Sequence, residues 1–236
     1  MGKIAIINVN IDNAYSIVKD CVYSCATEPI KLDDIRFHHN LNIEAIPNAL
    51  KYGLLSNEMK AKIIEKRELT KEEIFRYSDP HYVNGKDNIS LASTEEDLSM
   101  MFDHESLYDT YDTKLSSIIV SKNTKLGRNT ANYYNEFLAE DIIPVELFNS
   151  IEIRMFKLFE QTRSIFGENK ANTKEERIKY ALKSYEILRE IALILKENNL
   201  AIPLRESSNV MCNEESNNAI TLDIEKVIEM PKLILK

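Results

Sequence analysis

Two adjacent histidines, His38 and His39, stand in the run Arg36-Phe37-His38-His39-Asn40, which reads as a strand over Ile35 to Asn40. Successive strand side chains point to opposite faces, so only one of the two imidazoles can serve any one site. Arg36 lies two residues before His38 and shares its face, where a guanidinium suits a phosphate group or a solvated strand end. Taken alone, His38 reads as a strand histidine satisfied by a backbone carbonyl, and His39 more so. Glu136 alone reads as a surface carboxylate, and Ser90 alone says little. Cys21 and Cys25 are four residues apart in a helical segment and share a face, as reduced core thiols would, while Cys212 leaves the cysteine count odd. A metal site would need nitrogen or sulfur ligands near them, and none precedes His38, so no metal is expected.

The elements that must position these groups follow from periodicity. A strand is expected over Ile4 to Val9 and a helix over Asn13 to Cys25, whose apolar Ala14, Ile17, Val18, Cys21, Val22 and Cys25 keep to one stripe. Ile43 to Tyr52 reads as helix, with Pro47 in its first turn and Gly53 past its end as an αL cap. From Asn57 to Tyr77 the charges are dense but balanced; the spacing of Met59, Ile63, Ile64 and Leu69 suits an exposed helix, Thr70 then caps a short helix that ends near Tyr77, and a turn is centred on Asn84-Gly85. Further strands are expected at Ile89 to Ala92, Ser117 to Ser121 and Glu136 to Ala139. Thr173 to Asn198 carries Ile178, Ala181, Leu182, Tyr185, Leu188, Ile191, Ala192 and Leu195 on one face, a stripe that suits the core or, failing that, a partner protein. Ser207 to Asn218 reads as a loop, and Leu222 to Leu235 as a last helix broken at Pro231.

The whole is an α+β chain: residues 1–156 form a mixed domain, and residues 157–236 form a mainly helical extension packed on it. Its 236 residues, 44% hydrophobic and 29% charged, allow one core with an appendage and do not suit a membrane-embedded protein. Thirty basic against 38 acidic residues give a net charge of −8, the wrong sign for general binding to phosphate backbones. No stretch approaches the roughly 18 apolar residues of a bilayer span, and the start MGKIAIINVN lacks a signal-peptide pattern. The expected location is cytoplasmic, or inside a host cell after delivery without a cleavable signal.

The order of three pieces resembles the ADP-ribosyltransferase superfamily. An aromatic-His-x-Asn strand, here Phe37 to Asn40, is followed by a helix and then Gly53-Leu54; Asn88-Ile89-Ser90-Leu91-Ala92-Ser93 is similar to the family's middle strand. Asn135-Glu136-Phe137-Leu138-Ala139, with Ile142-Ile143-Pro144-Val145-Glu146-Leu147-Phe148 behind it, resembles the strand that carries the catalytic Glu. The resemblance spans residues 35–153, about half of the chain. It implies a split β-sheet core with flanking helices and NAD+ as co-substrate. Glu136 would be catalytic, stabilising the oxocarbenium character that develops when nicotinamide leaves ribose. His38 would anchor the adenosine-side ribose, with Asn40, Gly53, Leu54, Ser90 and Arg36 completing the co-substrate contacts. Phe102, Tyr108 or Tyr111 would stack on the nicotinamide.

Two departures narrow the branch. Tyr134 stands two residues before Glu136, where arginine-directed enzymes carry a second Glu, and the Ser-Thr-Ser of another branch is replaced by Ile89-Ser90-Leu91-Ala92. The His-Tyr-Glu-like branch remains, which includes members that modify nucleic acids. Between Thr94 and Asp112 lie seven acidic residues and no Lys or Arg, which favours a basic protein over nucleic acid as acceptor if the stretch borders the site. The implied function is thus a bacterial toxin or effector that transfers ADP-ribose to a macromolecule. Two alternatives stand beside it: an RNA 2′-phosphotransferase-like enzyme, disfavoured by the sparse basic residues near the three motifs, and a non-enzymatic protein-binding module.

Overall fold

The computed structural model describes residues 4–28, 30, 36–68, 88–93, 115–128, 136–156, 173–207 and 219–236. In chain order these form β1 (Ile6–Val9), α1 (Ala14–Tyr23), β2 (Ala26–Thr27), β3 (Phe37–Asn42), a 3-10 turn (Ile43–Ala45), α2 (Ile46–Tyr52), β4 (Leu54–Leu55) and α3 (Asn57–Lys60), which runs into a π turn (Ala61–Glu65). Next come β5 (Asn88–Ser93), β6 (Leu115–Val120), β7 (Gly127–Arg128), β8 (Glu136–Glu140), β9 (Ile142–Ile143), a 3-10 turn (Val145–Leu147) and β10 (Phe148–Ile153). The C-terminal part supplies α4 (Lys174–Glu197), β11 (Leu204–Glu206), β12 (Ile220–Leu222), α5 (Ile224–Glu229) and β13 (Lys232–Leu235). This is a mixed α and β architecture, as the alternating periodicities of the sequence imply.

Nine strands join into one central sheet in the order β2-β12-β11-β10-β6-β3-β5-β8-β7. Every neighbouring pair in it is antiparallel except β10 and β11. One face is apolar: Leu41, Ile118, Val120, Ile151, Ile153, Leu204 and Leu222 cluster with Val18 and Val22 of α1, Ile46 and Leu50 of α2, Val227 of α5 and the stripe of α4. Helices therefore cover this face, and burying their apolar stripes against it is the main source of cohesion.

α4 starts where a capping box allows it. The Thr173 hydroxyl accepts from the Glu176 amide at 3.1 Å, and the Glu176 carboxylate accepts from the Thr173 amide at 2.8 Å. All eight residues of its apolar stripe are buried in the chain's own core, so the stripe is not a surface for a partner protein. Tyr185 donates to the Pro231 carbonyl at 2.9 Å and Arg189 to the Ile228 carbonyl at 3.2 Å, which ties the last residues to the helix.

Several expectations are corrected. The helix from Asn57 is short: Lys66, at φ 53, ends the π turn, and Thr70 and Asn84-Gly85 lie outside the described residues. The apolar run from Leu222 is not one broken helix. Pro231 separates α5 from β13, which pairs in parallel with β1, Ile6 opposite Lys232 and Val9 opposite Leu235. Nor are residues 157–236 an extension laid on a finished domain. Their described part is largely helical, yet β11 and β12 enter the central sheet and β13 pairs with the first strand.

Gly53 does not take the αL cap either. Its φ of 83° and ψ of 179° send the chain straight from α2 into β4, which pairs with β9. A Cβ on Gly53 would stand 2.5 Å from the Ile143 carbonyl oxygen, so glycine is required both by the positive φ and by the close approach of backbone. Gly53→Ala should lower stability by about 2 kcal/mol or more. A shift of the urea midpoint checks this, and an unshifted midpoint contradicts the close approach.

Candidate functional site

Strand alternation gives the central sheet a second face, and the register shows which residues share it. One cross-strand row runs Glu136–Ala92–His38–Ile119–Ser150, through β8, β5, β3, β6 and β10. The next row runs Asn40–Ser117–Glu152–Arg205–Thr221, through β3, β6, β10, β11 and β12. Polar groups dominate. Ser117, Ser150, Glu152, Arg154, Arg205 and Thr221 are all buried, as are His38 and Arg36. A buried charge must be paired or hydrogen-bonded to persist, and here two connections are explicit. Arg205 Nη1 meets Glu152 Oε1 at 2.7 Å across the parallel pair. Arg154 Nη1 donates to Ser117 Oγ at 3.0 Å, and Ser117 Oγ donates to Asn40 Oδ1 at 2.6 Å.

His38 stands among these cations as a neutral ring. Burial first, then the positive guanidinium groups of Arg154 and Arg36 and the neighbouring His39, push its pKa down from 6.5 to about 3. It can therefore act as a hydrogen-bonding anchor at neutral pH but not as a proton donor in acid catalysis. His39 takes the opposite side of the strand, as alternation requires, and its Nδ1 lies 2.8 Å from the Ser90 carbonyl oxygen. The β3–β5 ladder holds only Phe37 with Ser93 and His38 with Ala92; past that point the His39 ring bonds to β5 where a backbone group otherwise would. The β3–β5 pairing thus ends before Asn40 and Ser90, which leaves an opening between these two strands.

The expected site residues divide. Arg36, His38 and Asn40 gather on the polar face along β3, and Ser90, exposed, stands across the opening. The side chain of Glu136 lies outside the described part of the structure, so backbone register gives its place: two strands from His38 in the same row, or about 10 Å between backbones. Gly53 and Leu54 do not join this group. Leu54 is buried in the apolar cluster with Ile143, and Gly53 serves the close approach of β9. Phe102, Tyr108, Tyr111 and the acidic stretch over 94–112 lie outside the described residues.

Ser117, Ser150, Glu152, Arg154 and Arg205 were not legible as site residues. Ser150, Glu152 and Arg154 alternate with Ile151 and Ile153, a period of two that marks a strand with a polar face. Among the described residues no cluster of His, Cys, Asp and Glu could hold a metal ion, and no helix is long and apolar enough to cross a membrane.

The neutral His38 links stability to pH. The unfolded chain takes up a proton near pH 6.5 that the folded chain refuses until about pH 3, so this contribution is complete above 6.5 and is lost as pH falls between the two. Its slope can approach about 1.4 kcal/mol per pH unit. Urea unfolding between pH 7 and 4.5 should show that fall, and His38→Gln should flatten it; a His38 imidazole that titrates above pH 6 by NMR contradicts the placement. Compared with protein-family models, with curated proteins and with solved structures, the chain matches none.

Proposed function

We propose that the chain is an NAD+-dependent ADP-ribosyltransferase on an ADP-ribosyltransferase-like split sheet, a toxin or effector that modifies a macromolecule. One observation carries this reading. His38, Ser90 and Glu136 come from segments far apart in sequence yet fall on three adjacent strands and one face, with His38 and Glu136 in a single cross-strand row. A neutral imidazole, a guanidinium and an amide on β3 suit the oxygen-rich edge of a dinucleotide, which offers acceptors to donors.

In this reading Arg36, His38 and Asn40 hold the co-substrate, and Ser90 stands beside the nicotinamide ribose across the opening. The Glu136 carboxylate stabilises positive charge that develops on the ribose as nicotinamide leaves, and the acceptor then attacks the same carbon. His38, kept neutral, contributes orientation rather than a proton.

A second reading gains from the fold. Removal of an RNA 2′-phosphate through an ADP-ribosylated intermediate needs several cations around the phosphate, and the sequence supplies few near the three motifs. Folding adds Arg154, from a segment beyond them, to the face that already carries Arg36, whereas Arg205 on that face is paired with Glu152. Both readings use the same co-substrate and differ in the acceptor.

The experiment incubates the protein with labelled NAD+ and a cell lysate and reads label in protein, nucleic acid and free ADP-ribose separately. Transfer to protein supports the first reading, and 2′-phosphate loss from RNA the second. Glu136→Gln should cut nicotinamide release at least 100-fold in folded protein, while NAD+ should raise the melting temperature of wild type. Label in none of the pools, with the protein folded, sinks both.

A further inference from the structure

Asn40 is a side chain whose amide could face a ligand with either end. Its neighbours remove that freedom. Arg154, 1% exposed, offers only donors, and its Nη1 lies 3.0 Å from Ser117 Oγ. The Ser117 hydroxyl, fully buried, therefore spends a lone pair on the guanidinium and its one hydrogen on Asn40 Oδ1 at 2.6 Å. A flipped amide would set an NH2 group against that hydroxyl hydrogen, donor against donor. Among the described residues nothing accepts from Asn40 Nδ2, and Asn40 is only half-buried, so its NH2 group is presented on the polar face beside His38.

We propose that Arg154 is a positioning residue that acts through Ser117 to fix Asn40 as a hydrogen-bond donor, so that the site takes a ligand with an acceptor oxygen at this corner. The ligand part of this inference rests on the transferase reading, in which the oxygen belongs to the sugar or diphosphate of NAD+. The relay itself does not. It follows from a donor-only guanidinium at one end and an amide with two unlike ends at the other. Low local dielectric strengthens such a chain and makes its disruption felt at Asn40, two bonds away from the change.

The test compares wild type with Ser117→Ala, which removes the hydroxyl at small cost in volume, and with Arg154→Lys. Protein labelled with 15N at asparagine reports the Asn40 side-chain NH2 group directly. The expected result is one sharp NH2 pair in wild type and a shifted or doubled pair in Ser117→Ala, with NAD+ bound about tenfold more weakly by titration calorimetry. In turnover the loss falls on KM rather than kcat, as loss of a ground-state contact should. Ser117→Thr, which keeps a hydroxyl for both bonds, returns both readouts toward wild type. An Asn40 NH2 pair identical in wild type and a folded Ser117→Ala overturns the proposal. Wild type that ignores NAD+, while Ser117→Ala still moves the Asn40 signals, supports the relay and overturns the transferase reading.

Discussion

Glu152 and Arg205 face each other across β10 and β11, both buried, with 2.7 Å between the charged atoms. Removing one member of such a pair leaves the other charge stranded and typically costs about 3–5 kcal/mol, so the two strands are held to one register. That register is parallel, and it is the one parallel ladder in the central sheet among the described residues. Parallel neighbours need a long crossover, which here contains α4. The position of the 24-residue helix, and the burial of its stripe against Ile118, Ile151 and Leu204, therefore follow from where β10 and β11 must meet. The C-terminal residues enter the central sheet through the β10–β11 ladder, and the ion pair lies across it.

The two faces of that sheet obey different rules. On one, apolar residues and helices exclude water, and any hydrophobic residue of fitting volume can serve. On the other, buried arginines, hydroxyls and a glutamate must each find specific partners, which makes their arrangement exacting and ties β3 to β6 and β10 through Asn40, Ser117 and Arg154. The whole chain carries a net charge of −8, yet Arg36, Arg154 and Arg205 share the polar face. Net charge governs encounter and solubility; the field inside an enclosed face is set by the few groups within it.

Elements with their own local signals were legible. α4 has the Thr173 and Glu176 capping box and a stripe that repeats over its length, and α1 has a comparable stripe. The strands at β3, β5, β6 and β8 were legible as short runs of suitable residues, and the pairing of Arg36 with His38 on one face followed from the period of two. β11 is three residues long and reads Leu204-Arg205-Glu206, two charges in a row, which taken locally is a solvated loop. The distant Glu152 pairs with the buried Arg205, which also donates to the Ala219 carbonyl, and no short window of sequence contains both charges. Ser117 and Arg154 were missed for the same reason, since their roles exist only once β6 lies between β3 and β10. The run from Leu222 misled because short apolar segments do not separate strand from helix; β1, its partner in part, is more than 200 residues away.

A histidine with a pKa near 3 constrains what chemistry this face can support. General acid catalysis is most effective when the group titrates near the working pH, and His38 is far below it. A neutral imidazole donates from one nitrogen and accepts at the other, so the ring hydrogen-bonds without carrying charge. Arg36 and Arg154, whose guanidinium groups help keep the ring neutral, carry the positive charge beside it. Any positive charge that develops on a bound ligand in a reaction therefore has to be met by a carboxylate from elsewhere on the face. The buried Glu152 is engaged with Arg205, whereas Glu136 stands in the row of His38, across the opened part of the sheet.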